Sequence, residues 1–282
     1  MGRPPSTSPA RRVRHLARTY LSESPALYLP LARRRYPGPS PEVVGRDTEL
    51  VIDGYTRCAS TFVVYAFQLA QPRPVRLAHH LHASAQVVEA VRRGLPTLTV
   101  VREPRGAVLS QLVREPNVDL RDAMLAYARF YEQLLPHRDA MVVSDLPEST
   151  HDLAGVVRRL NGRFGTSFAA PSLDADMREE CAELVRARPS LSPVVLGFES
   201  GLVSHDELKA SRRVLGGAVT YGGASPAPSP ELWAPSAQRE KEKAELAGAW
   251  TAAPRRLRER ALCAYAAFTV ASSAQVPREV HR

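Results

Sequence analysis

The sequence predicts an α/β protein in three layers, a central and mostly parallel sheet flanked by helices, with a helical C-terminal extension. Three observations predict it. From Glu49 onward, short apolar runs alternate with longer helical segments, the signature of parallel strands joined by covering helices. A chain of 282 residues that is 44% hydrophobic can bury one sizeable core. The first apolar run breaks at Gly54 into a short loop of Gly, Arg and hydroxyl residues before an apolar helix, a unit suited to holding an anion.

Taken in order, residues 1–47 combine basic and proline-containing segments, with an amphipathic helix expected over 10–21 and a stop at Pro37-Gly38-Pro39-Ser40-Pro41. They are expected as a lead-in, partly disordered or helical, to one domain over 48–282. Strands are expected at 50–53, 75–79, 98–102 and 140–144, with helices over 60–70, 83–93, 107–114 and 120–134. A further helix over 153–164 follows from the apolar spacing of Leu153, Val156, Val157 and Leu160. Crossovers between parallel strands are right-handed, so the strands' C-terminal ends should share one rim, where ligands of open α/β sheets bind. The stretch 211–235, rich in Gly, Pro and Ser, reads as a surface loop or lid. Two C-terminal helices are expected at 236–249 and 254–272.

Composition excludes several classes. No apolar run reaches the roughly 18 residues of a spanning helix, and no secretory signal opens the chain, so a soluble, cytoplasmic protein is expected. Cys58, Cys181 and Cys263 are few, odd in number and widely spaced, which predicts neither a disulfide framework nor a zinc site. The net charge of +9 is concentrated: residues 1–36 carry eight arginines against Glu23 alone, a local +7 that leaves +2 for the rest. A basic arm of this kind is a solvated tail or a contact for an anionic surface, and no nucleic-acid partner is expected for the nearly neutral body. Met1-Gly2 followed by Ser6 matches a myristoylation pattern only by chance, with Pro4 and Pro5 inside it.

Three constellations carry chemistry. The loop reads Gly54-x4-Ala59-Ser60-Thr61, against the G-x4-G-K-[ST] of nucleotide-binding phosphate loops. Ser60 stands at the lysine position and Arg57 supplies a cation three residues earlier. Without that lysine the loop can hold a 5′-phosphate but is poorly equipped for γ-phosphoryl transfer. The second constellation is Arg102, at the end of the third strand, with Ser110 about two turns into the next helix. A guanidinium fork and a hydroxyl converging on one rim suit a phosphate. The third is His79, His80 and His82 after the second strand, where an imidazole titrating near neutrality can act as a base. Phe62 opens the helix after the loop, an apolar position that core packing alone would explain.

Together these motifs resemble the PAPS-dependent sulfotransferase family, and the run containing Ala78-His79-His80-Leu81-His82 is similar to a bacterial branch of it. The family's loop, of the type Y-P-[KR]-S-G-T-T-[WFL], matches Tyr55-Thr56-Arg57-Cys58-Ala59-Ser60-Thr61-Phe62 in frame. Its strand-end arginine with a serine eight residues on is matched by Arg102 and Ser110. Its strand with following acidic residues is echoed by Met141-Val142-Val143-Ser144-Asp145-Leu146, and Leu160-Asn161-Gly162-Arg163-Phe164-Gly165 looks like the segment beyond. The resemblance covers residues 46–168 or so.

It implies a three-layer P-loop-like fold, 3′-phosphoadenosine-5′-phosphosulfate (PAPS) as sulfuryl donor, 3′-phosphoadenosine-5′-phosphate (PAP) as product, and no metal. Residues Arg57, Cys58, Ala59, Ser60 and Thr61 would hold the 5′-phosphosulfate end, with Arg57 also neutralising charge in the reaction, and Phe62, in the frame position of an aromatic, would pack beside the adenine. Arg102 and Ser110 would grip the 3′-phosphate. The base would be His80, 22 positions before Arg102, with His82 the second candidate. The acceptor would be a hydroxyl or amine of a small molecule, saccharide or lipid. Cys58 and Ala59 depart from the family's serine and glycine, which removes one hydroxyl and makes a positive φ more costly. The family's C-terminal R-K-G-type segment is absent, and Arg212 with Arg213, or Arg239 with Lys243, are candidates to replace its cations. The competing expectations are a P-loop nucleotide or small-molecule kinase and a non-catalytic nucleotide-binding protein.

Overall fold

A computed structural model describes residues 8–225 and 236–269. Four parallel strands form the central sheet: β1 (Leu50–Gly54), β2 (Leu77–His79), β3 (Thr97–Val101) and β4 (Val142–Asp145), in the order β2-β1-β3-β4. Every residue of β1 and β3 is buried, as expected of strands covered on both faces. On one side lie α3 (Ser60–Ala70), α9 (Ala175–Ala187) and α10 (Pro193–Glu199), which pack on one another. A second group comprises α4 (Ser84–Arg92), α6 (Leu120–Leu134) and α13 (Arg255–Thr269), with α5 (Pro104–Arg114) and α12 (Ala237–Ala252) beside it. The chain is thus an α/β protein with a parallel sheet between helical layers.

β2 is two residues shorter than its apolar run. Gln68, from α3, takes both backbone groups of Val75: its Nε2 donates to Val75 O (2.7 Å) and its Oε1 accepts from Val75 N (3.2 Å). A side-chain amide here replaces a neighbouring strand. Within the segment read as a lead-in, α1 (Pro9–Leu21) and α2 (Pro25–Arg35) form, and Tyr28, Leu29, Ala32, Val43 and Val44 pack with Val51, Ala78 and Leu81 in a second buried cluster.

The expectation of a loop over 211–235 needs correction. After α11 (His205–Ser211), Arg212–Leu215 and Ala218–Tyr221 pair as an antiparallel hairpin, β5 and β6. Gly216 and Gly217, with φ of 56° and 81°, are its two-residue turn, the geometry that demands positive φ at both central positions. Glycines that suggested looseness are here the requirement of a tight turn. The rest of that expected lid, 226–235, lies outside the described residues, as does the end of the helix expected over 254–272. The helix expected over 153–164 forms as α8 (Leu153–Phe164), capped by Asp152, and one short helix not expected, α7 (Leu146–His151), precedes it.

Gly54 sets how closely β1 and β3 approach. A Cβ there would lie 2.1 Å from Val100 O. Gly54→Ala is therefore expected to cost at least about 3 kcal/mol of folding stability, measured as a lower urea midpoint. A midpoint within error of the parent would show that the strands can separate without cost.

Candidate functional site

β1 continues to its sheet neighbour β2 through α3, while β3 continues to β4 on the opposite side through α5 and α6. Adjacent strands whose connections leave in opposite directions open a crevice at their C-terminal ends. The loop after β1 and Arg102 after β3 both emerge there, and a cavity of about 690 Å³ fills it. Among its lining residues are Thr56, Arg57, Ala59, Ser60, Thr61 and Phe62 from the loop, His80 and His82 from beyond β2, and Arg102, Ser110 and Arg114 from β3–α5.

The loop turns through two residues in the left-handed region, Arg57 (φ 67°) and Ala59 (φ 69°), before α3 begins at Ser60. Each non-glycine in that region costs about 1 kcal/mol, so the neighbours must enforce it. Two tyrosines of α6 do so. Tyr131 Oη accepts from Tyr55 N (3.3 Å) and donates to Val100 O (3.1 Å), and Tyr127 Oη donates to Arg102 O (2.5 Å). Tyr55 Oη in turn donates to Gln111 Oε1 on α5 at 2.6 Å. Cys58 is turned away from the cavity. Its Sγ lies 3.3 Å from Tyr131 Oη, and burial pushes the thiol up to about 11. Cys58, expected among the donor-binding residues through the loop backbone, has its thiol in the core.

The cations converge on Ser110. Arg57 Nε and Arg239 Nη2 both donate to its Oγ, at 3.2 and 3.0 Å, and Arg102 Nη1 donates to Arg57 O at 3.1 Å. With both lone pairs accepting from guanidinium groups, the Ser110 hydroxyl keeps its proton for another acceptor. Burial, then Arg239, Arg114 and Arg102, bring Arg57 down to about 9, with Glu115 opposing. Arg114 falls to about 10, mainly through burial, and Arg239 falls in the same direction for the same first reason. This is a cluster of positive charge held together against its own repulsion, the signature of a site built for an anion. Arg239 comes from the start of α12, so of the two candidate cation pairs only Arg239 with Lys243 reaches the cavity. Arg212 instead pairs with Glu183, at 2.8 Å, out on the β5–β6 hairpin.

The three histidines have different roles. His80 lines the cavity, with Nε2 2.9 Å from Thr61 Oγ1 and Nδ1 2.5 Å from His79 Nδ1. One proton serves the two facing Nδ1 atoms, so the rings take opposite tautomers. When His80 carries that proton, its Nε2 is a bare acceptor facing the loop. Burial, then Arg188, His79 and His82, hold His80 well below the ordinary histidine range, and burial brings His79 down to about 4. Both are neutral near pH 7. His82 Nδ1 donates to Gly54 O at 2.8 Å and lies 3.4 Å from Asp53 Oδ1. Asp53, fully buried, also accepts from Gly54 N, His82 N and Gln86 Nε2. Asp53 and Gln86 thus position the histidine turn, a role that no local spacing in the sequence signals.

Behind the histidines lies Glu199, whose carboxylate is bonded by Arg188, Tyr65 and Ser40 and is held below the ordinary carboxylate range despite burial, with Arg188 the leading cause. His79, His80 and Glu199 bring ligand-type atoms within 4.8 Å of one another. Glu199 is already committed to a guanidinium, however, and a cation there would be set against Arg188. Comparison with protein-family models, with characterised proteins and with solved structures finds no match for this chain.

Proposed function

We propose that the protein is a PAPS-dependent sulfotransferase of P-loop-like fold, moving a sulfuryl group to a hydroxyl or amine of its acceptor. One observation supports this above others: the loop after β1, Arg102, Ser110 and Arg239 meet around one cavity, with His80 Nε2 against the same loop. The residues fit the donor's two anionic ends. The N–H groups at the start of α3, with Arg57, Ser60 and Thr61, suit a 5′-phosphosulfate. Arg102, Arg239 and the Ser110 hydroxyl suit a 3′-phosphate, which would relieve the repulsion now lowering Arg57. Phe62 offers an apolar edge to the adenine.

The donor supplies an activated sulfuryl group and a phosphate leaving group. The reaction forms a bond from the acceptor oxygen or nitrogen to sulfur and breaks the bond from sulfur to the 5′-phosphate oxygen. His80, neutral and with Nε2 toward the loop, takes the acceptor proton. Arg57 neutralises the charge left on the phosphate oxygen. A kinase would require a lysine where Ser60 stands.

The test is thermal shift of the purified chain with PAP, adenosine 5′-phosphate, ATP and GTP. PAP is expected to raise the melting temperature most. Arg102→Ala is expected to weaken PAP about tenfold or more while nearly sparing adenosine 5′-phosphate. Equal losses for both nucleotides would remove the 3′-phosphate assignment, and magnesium-dependent ATP turnover without PAP binding would make the protein a kinase.

A further inference from the structure

The α1–α2 segment, whose helices pack on α6 and α4 respectively, has two faces. Its inner face supplies His15, Arg18, Thr19 and Ser22 to the lining of the cavity, and Tyr28, Leu29 and Ala32 to the core. Its outer face is unexpectedly apolar. Val13 is 67% exposed, Leu27 58% and Leu31 51%, and five of the ten large hydrophobics exposed among the described residues lie between positions 13 and 31. All but Leu21 are ordered along the helices. Val13, Ala17 and Tyr20 repeat at i, i+4 and i+7 on α1, and Leu27, Leu31 and Arg34 do so on α2, so each helix presents one outward row.

Around these rows the charge has one sign. Arg11, Arg14, Arg34 and Arg35 are exposed. The segment's single acid, Glu23, is held by Arg129 at 2.5 Å and lines the cavity. A second copy of the same face would set arginine against arginine, and a nucleic acid would leave the leucines and valine in water. A lipid surface satisfies both halves, since apolar rows enter the acyl boundary while arginines meet anionic headgroups. No helix among the described residues is long and apolar enough to cross a membrane, so the contact is one of lying on the surface.

We infer that the exposed rows of the α1–α2 segment are a docking surface for an anionic lipid bilayer. The inference goes beyond the sulfotransferase reading and stands or falls separately from it, because none of the residues it uses lines the cavity.

The experiment is flotation of the full chain with vesicles of phosphatidylcholine alone or mixed with phosphatidylglycerol. The mixed vesicles are expected to bind at least about tenfold more tightly, with affinity falling as salt rises. Arg11→Gln/Arg14→Gln/Arg34→Gln should lose roughly a hundredfold, about fivefold for each arginine. Leu27→Ser/Leu31→Ser should lose about tenfold. Both variants replace exposed side chains and should keep the parent's melting temperature and its thermal response to PAP, which separates a docking defect from a folding or nucleotide-binding one. Equal binding to neutral vesicles, no binding to either, or unchanged binding by the leucine variant overturns the inference. So does light scattering that shows a dimer dissociated by these substitutions.

Discussion

Arg57→Gly is expected to make the protein more stable and nearly inactive. The guanidinium is held among Arg102, Arg114 and Arg239, and burial with their repulsion brings it down to about 9. At neutral pH it remains charged, so the fold bears the cost of that charge and gains when the side chain is removed. Glycine also relieves the left-handed backbone at φ 67°. Solvent in the open cavity screens part of the repulsion, and one hydrogen bond to Ser110 is lost, so the gain should be about 1–3 kcal/mol, or roughly 2–4 °C in melting temperature for each kcal/mol. Turnover should fall by about 10²–10³, the usual cost of deleting one donor to a developing anion. A calorimetric melt and a sulfuryl-transfer assay decide the matter. A melting temperature below the parent's would make Arg57 a structural tie of the loop instead of a group strained toward an anion.

His80→Asn is expected to lower turnover by about 10²–10⁴ with nucleotide affinity unchanged. Asparagine tolerates the positive φ of 58° at this position, so the backbone is conserved while the base is removed. Affinity is read from the thermal response to PAP and turnover from single-turnover kinetics. If His80→Asn retains full activity and His82→Asn loses it, the base is His82, whose Nδ1 is fixed by Gly54 O and Asp53. A parallel loss of affinity in His80→Asn would place the ring in binding, through Thr61, and not in proton transfer.

The parts of this site that were legible in the sequence are those written in short spacing. The strands Leu50–Gly54 and Thr97–Val101 are mostly apolar and buried along their whole length because both faces are covered, a pattern unlike that of a half-solvated strand. The loop from Tyr55 to Phe62 and the Arg102–Ser110 pair follow from residues within eight positions of each other. Tyr127 and Tyr131, which hold the loop, and Asp53 with Gln86, which hold the histidine turn, act across 25 to 76 positions, and nothing local marks them. The β5–β6 hairpin was misread because two glycines serve tight turns and slack loops alike. Helix α9 escaped notice although Asp174 caps it and Arg186 lies in its last turn, signals that cap placement alone could have supplied.

Ser110 and Arg239, bonded at 3.0 Å, are 129 residues apart. A ribosome makes the loop, Arg102 and Ser110 long before it makes their last partner. A sheet that forms during synthesis does so while the cation cluster is still one arginine short, which would lighten the repulsion as the loop closes. Only when α12 arrives does the pocket acquire its full charge. Helix α13, which packs on α6, is made later still, so the cluster gains its last arginine before the helical layer beside it is finished.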